Sequence, residues 1–205
     1  FAATVGYVFP VLVIREAFVR WKLGLMNLIL LGMIYGFYNE GLIARTLFHP
    51  FPCPVREFAT YGLLGNVRIP WTLTLILTHA LHSVLYPIAF VQWLVPEHAQ
   101  EPWLGRGTAW GLGILCLLFG LMAFCNGPPE RPRGGLDHLL AMAAACGLLL
   151  LLSGRLPPLP RIGQRAGTPF RWKLVAAGMG LYGFLLLLPF TFGTWRIHPL
   201  LFVAY

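Results

Sequence analysis

Two stretches decide how this chain reads: Tyr38-Asn39-Glu40-Gly41-Leu42-Ile43-Ala44-Arg45 and Thr78-His79-Ala80-Leu81-His82-Ser83. Each sets ionisable side chains inside a long apolar run, where such groups are costly to keep and point to a working site. Outward from them, apolar runs recur toward both ends of the 205 residues with only short polar breaks. Hydrophobic residues make up 58% of the chain and charged residues 11%, against roughly 25% charged in soluble domains. The expectation is an all-α polytopic membrane bundle of about six transmembrane helices, a single domain over residues 1–205. Because the chain opens on Phe1, a preceding segment is also expected.

The net charge of +8 does not imply nucleic acid, because the basic residues fall in breaks between apolar runs and not along one face. They read as membrane-flanking positive loops. Cys53, Cys116, Cys125 and Cys146 show no CxxC spacing, so neither a zinc site nor a disulfide framework is expected.

In chain order, residues 1–14 are apolar but short, and Arg15, Arg20 and Lys22 then mark a turn. Helix-compatible residues run from 21 to 48, until His49-Pro50-Phe51-Pro52-Cys53-Pro54 stops any helix. This second helix is expected to be long, about 27 residues or roughly 40 Å. Residues 55–69 carry Gly62, Gly65 and Asn66 and suit an interfacial segment. Pro70 opens a third helix, residues 71–95, followed by a polar loop over 96–108. Further spans are expected over 109–125, 136–152 and 172–192, with Asp137 as an N-cap.

Alternating the loops across the bilayer puts nine basic residues on one side, Arg15 and the 154–173 loop among them, and six on the other, including Arg45, Arg56 and Arg68. The richer side is expected to be cytoplasmic.

Glu40 and His79 each stand about eight residues from the helix ends that face the 49–69 break, so antiparallel packing would give them a common depth of roughly 12 Å. Thr72, His79, Ser83 and Tyr86 form a polar stripe at i, i+7, i+11 and i+14, with His82 one turn from His79. Arg45 lies about 140° around the helix from Glu40 and does not form an i,i+4 pair with it. A carboxylate and an imidazole at one depth suit water activation, with the first as base and the second as donor to an oxyanion. They also suit metal or haem ligation, proton relay, or a buried pair that fixes two helices.

Glu40-Gly41-Leu42-Ile43-Ala44-Arg45 resembles the EExxxR signature of the CAAX-protease and bacteriocin-processing membrane family, with Gly41 in place of the second Glu. Leu75-Ile76-Leu77-Thr78-His79 is similar to that family's FxxxH motif, with Leu for Phe. The third motif, HxxxN or HxxxD, is missing, since Met142 follows His138 by four residues. The resemblance implies metal-free intramembrane hydrolysis without a cofactor. Glu40 would activate water and His79 would stabilise the oxyanion. Arg45 and His82 complete the candidate catalytic set, and Asn39, Ser83 and Tyr86 the candidate substrate-binding set. The expected partners are the lipid bilayer and a membrane-anchored protein or peptide, with no nucleic acid, in a bacterial or archaeal inner membrane. The rival expectation is a non-enzymatic assembly subunit or small carrier whose polar stripe holds a ligand, lipid or partner helix.

The loop bias yields a test of sidedness. A Gln164→Cys variant should resist impermeant thiol reagents added to intact cells, and efficient labelling would reverse the orientation.

Overall fold

The computed structural model describes residues 4–48, 62–127 and 134–156. Among them run five long helices and a short 3-10 turn, Pro96–His98. The first, residues 4–20, begins as a π-helix over Thr4–Val8 and continues as an α-helix over Phe9–Arg20. The second, residues 25–43, is α-helical over Leu25–Phe37 and π-helical over Tyr38–Ile43. A two-stranded antiparallel hairpin, Leu63–Leu64 with Val67–Arg68, turns at Gly65 with φ +58° and leads into the third helix, Ile69–Leu94. The fourth and fifth helices are Arg106–Asn126 and Leu136–Arg155.

The third, fourth and fifth helices are each long and apolar enough to cross a membrane, and they match three of the expected spans. Among the described residues three such helices are found, half of the six expected. The expected span over 172–192 lies outside the described residues, as do the 49–54 break, residues 55–61 and the basic loop from 157 onward.

The second helix is shorter than expected, ending at Ile43 and not at 48. Its 19 residues extend about 28 Å, not 40 Å. The chain stops there because Arg45 adopts a left-handed conformation, φ +54°, and the Thr46 N–H turns back to the Glu40 carbonyl at 2.9 Å. A left-handed residue with a returning N–H is a standard way to end a helix. Gly135, not Asp137, caps the fifth helix, and its N–H is taken by His138 Nδ1 at 3.2 Å.

Prolines account for two of the three π segments. Pro10 has no N–H to give the Gly6 carbonyl, and Pro87 none to give that of Ser83, so the backbone ahead of each cannot close an ordinary i→i−4 bond. The chain enters Pro10 through Thr4–Val8 and Pro87 through His79–Leu85, both in the wider π geometry. The Gly6 carbonyl accepts the Tyr35 hydroxyl instead, at 3.0 Å.

The second helix is the centre of the packing, touching the first, third, fourth and fifth. It meets the third at backbone distance. A Cβ on Gly32 would stand 2.6 Å from the Ala80 Cα, and one on Gly36 would stand 2.9 Å from the Ile76 Cα. As 32 pairs with 80 and 36 with 76, the helices are antiparallel. Phe18, Leu28, Tyr35, Val84 and Ile88 form the core beside this contact.

At the opposite end from Glu40, the first helix is tied to the segment after the third. Glu16 accepts from Arg15 at 2.9 Å, from Arg20 at 3.2 Å and from the Trp103 N–H at 2.8 Å. Arg15 also donates to the His98 carbonyl at 3.0 Å and stacks over the Trp103 ring. Arg20 donates to the Leu104 carbonyl, and Asn27 reaches the Ser153 carbonyl at 3.3 Å. Arg15, Arg20, Lys22, Arg106 and Arg155 therefore share one end of the bundle.

Widening the backbone contact should unfold the bundle from its centre. Gly36→Val in purified protein is expected to lose about 1–3 kcal/mol or more by overpacking, read as a lower thermal midpoint. Gly147→Ala, where a Cβ meets nothing within 4 Å, should leave the midpoint equal or raise it.

Candidate functional site

Glu40 and His79 do meet, with Oε1 and Nε2 3.4 Å apart, but not by sharing a depth. Glu40 lies three residues before the end of the second helix at Ile43, and His79 ten residues after the start of the third at Ile69. Measured from the level contact of Gly36 with Ile76, they lie on opposite sides of it, about 10 Å apart along the axis. Helical side chains lean toward their own N-terminus. In an antiparallel pair these leans converge, and they bring carboxylate and imidazole together over the Gly36 backbone. Both residues sit in π segments, Tyr38–Ile43 and His79–Leu85, a rare geometry that is frequent at functional sites.

The hydrogen bonds constrain the protons. His79 Nδ1 lies 2.9 Å from the Leu75 carbonyl, which can only accept, so Nδ1 carries a hydrogen. Nε2 then bonds Glu40 only if one proton lies between them, as imidazolium with carboxylate or as neutral imidazole with carboxylic acid. The other carboxyl oxygen, Oε2, accepts from the Thr46 hydroxyl. Glu40 is 7% exposed and His79 8%, and burial without such partners would be costly for either.

A polar relay supports the pair. Asn39, 1% exposed, donates to the Tyr35 hydroxyl at 2.9 Å, and Tyr35 passes the bond on to the Gly6 carbonyl. The Tyr35 ring tilts against His79 at 5.7 Å between centroids, and Tyr7 from the first helix stacks on it at 6.4 Å. Three helices therefore enclose the imidazole. Tyr38 anchors the second helix to the fourth by donating to the Cys116 carbonyl at 2.7 Å.

The other candidates stand elsewhere. Arg45 turns to the fourth helix, where it donates to the Ala123 carbonyl at 2.8 Å and packs on Gly127. His82 faces the Thr78 carbonyl at 3.0 Å and meets Tyr86 edge-on at 5.1 Å. Tyr86 is exposed, and Ser83 lines a cavity between the first and third helices. The expected stripe breaks because it assumes 3.6 residues per turn, whereas the π segment from His79 adds residues to its turns and rotates Ser83 and Tyr86 off the face of His79. Among the described residues no group of three or more His, Cys, Asp or Glu could hold a metal.

Thr46, Tyr35 and Tyr7 escaped the sequence reading. Thr46 carries no signal, since its place depends on the left-handed turn at Arg45. The Gly32-x-x-x-Gly36 spacing was a usable sign of close helix approach in a membrane chain.

No curated protein and no solved structure matches the chain. The resemblance to the CAAX-protease and bacteriocin-processing family is overturned, because the family model that does match is a different one. The geometry gives the physical side of that correction. The position of the missing second Glu, Gly41, lies against the flexible end of the Met142 side chain, which a Cβ there would have to displace, and Arg45 serves the fourth helix. The model that matches, over residues 3–160, describes an uncharacterized membrane protein family, and the chain belongs to it.

Proposed function

We propose that Glu40 and His79 form the working centre of a membrane-embedded hydrolase, peptidase-like in its chemistry, acting on membrane-anchored or exported substrates. The observation that carries this reading is the 3.4 Å contact between carboxylate and imidazole at the junction of two π segments. In the ion-pair form, Glu40 takes a proton from water as the water oxygen attacks an acyl carbon. His79 Nε2–H donates to the developing oxyanion and afterwards protonates the leaving group. Thr46 holds Oε2, which leaves Oε1 for the water. Arg45 acts as a positioning residue by fixing the turn that delivers Thr46, and Asn39 does so through Tyr35. His82, Ser83 and Tyr86 stand outside the pair, along the path a substrate takes by the third helix. With the basic end cytoplasmic, the Glu40 end faces the opposite side.

The near-complete burial of both side chains favours a second reading from another class, an assembly or carrier subunit in which the pair fixes the helices or holds a ligand. Variants separate the two. With reconstituted protein and a panel of fluorogenic membrane-anchored peptides, Glu40→Gln should keep the melting midpoint and lose turnover about 10²–10⁴-fold. Thr46→Val should lower turnover by less. Absence of turnover in the wild type, or equal turnover in Glu40→Gln, would sink the hydrolase. The second reading then expects the double variant Glu40→Leu with His79→Leu to fold as well as the wild type, as apolar replacements of buried pairs often do.

A further inference from the structure

Between the first and third helices lies a cavity of about 400 Å³, within the roughly 300–1,000 Å³ common for small-ligand sites. Its long walls are Tyr7, Val11 and Arg15 on one helix and Ser83, Pro87 and Val91 on the other, each at intervals of four, with Trp103 beside Arg15. Eight residues of helix extend about 12 Å. Both helices end at the segment that Arg15 and Glu16 tie down, so they run parallel and the cavity is a lengthwise slot from Tyr7 to Arg15.

Hydrocarbon suits this slot better than water does. An apolar cavity stays dry, and the polar groups on these walls are few. Tyr7 and Val8, at one end, are exposed, and the surroundings of a membrane protein are acyl chains. At the other end Arg15 is only 3% exposed, paired with Glu16, bonded to the His98 carbonyl and stacked on Trp103, so that it closes the slot. Arg20, Lys22 and Arg106 lie at the same end of the bundle and favour an anionic leaflet there.

We propose that this slot binds one phospholipid with an anionic headgroup, its acyl chain between Val11 and Val91 and its headgroup at the end of the bundle that carries Arg20, Lys22 and Arg106. The site is independent of any reaction at Glu40, although Tyr7 borders both. Native mass spectrometry of the full chain released from vesicles of equal phosphatidylglycerol and phosphatidylcholine tests it. The wild type should retain one phosphatidylglycerol with about tenfold preference, the size expected of one or two basic side chains near a charged membrane surface. Val91→Trp, which fills the slot, should lose that lipid. Should Val91→Trp fail to fold, Val11→Phe narrows the slot from the opposite wall and carries the same expectation. Equal retention of both lipids, undiminished retention in a folded slot-filling variant, or a second protein copy where the lipid was expected would each overturn the assignment.

Discussion

The backbone of the second helix touches the backbone of the third at Gly32 and Gly36, and most of the arrangement follows from that contact. In lipid there is no hydrophobic gain from pressing two apolar helices together, so association rests on close van der Waals packing and on hydrogen bonds between helices. Glycines at an interval of four remove the side chains that would hold the axes apart, and Ile76 and Ala80 offer backbone at the same interval. The level contact sets the register. The register in turn lets Glu40 lean down and His79 lean up until carboxylate and imidazole stand 3.4 Å apart, so a steric fact fixes an electrostatic one.

The second constraint is the incomplete hydrogen bonding that proline leaves inside a helix. A freed carbonyl must find another donor where water is scarce, and the Gly6 carbonyl finds the Tyr35 hydroxyl. That bond ties the start of the first helix to the second and brings Tyr7 over His79. Backbone irregularity thus becomes a cross-link, and the aromatic shell around the imidazole is its by-product.

Much of the fold was legible from hydropathy and breakers. The third, fourth and fifth helices stand near the places that apolar runs, Pro70 and the Asn126–Gly135 cluster assign them. The pairing of Glu40 with His79 was legible too, because isolated polar groups on neighbouring membrane helices must find one another. The remainder was hidden for local reasons. A left-handed Arg45 has no signature in residue type, so the end of the second helix and the arrival of Thr46 could not be read. The π segments change the residues per turn, so a stripe drawn at ordinary helical spacing lost Ser83 and Tyr86. Glu16 was overlooked because its flanking arginines looked like a solvated turn, whereas they neutralise it inside the protein.

That last cluster bears on how the chain enters the bilayer. Arg15 and Glu16 lie on the first helix, while the groups that satisfy them, the His98 carbonyl and the Trp103 amide, come more than eighty residues later. Until those residues are made, the first helix holds charges whose hydrogen bonds are only partly met, and a lone helix of that kind is poorly suited to hydrocarbon. Its final seating must wait for the third helix and the segment after it. The N-terminal helix is therefore synthesised early and locked late, which leaves its neighbours exposed to lipid and to insertion factors for the interval between.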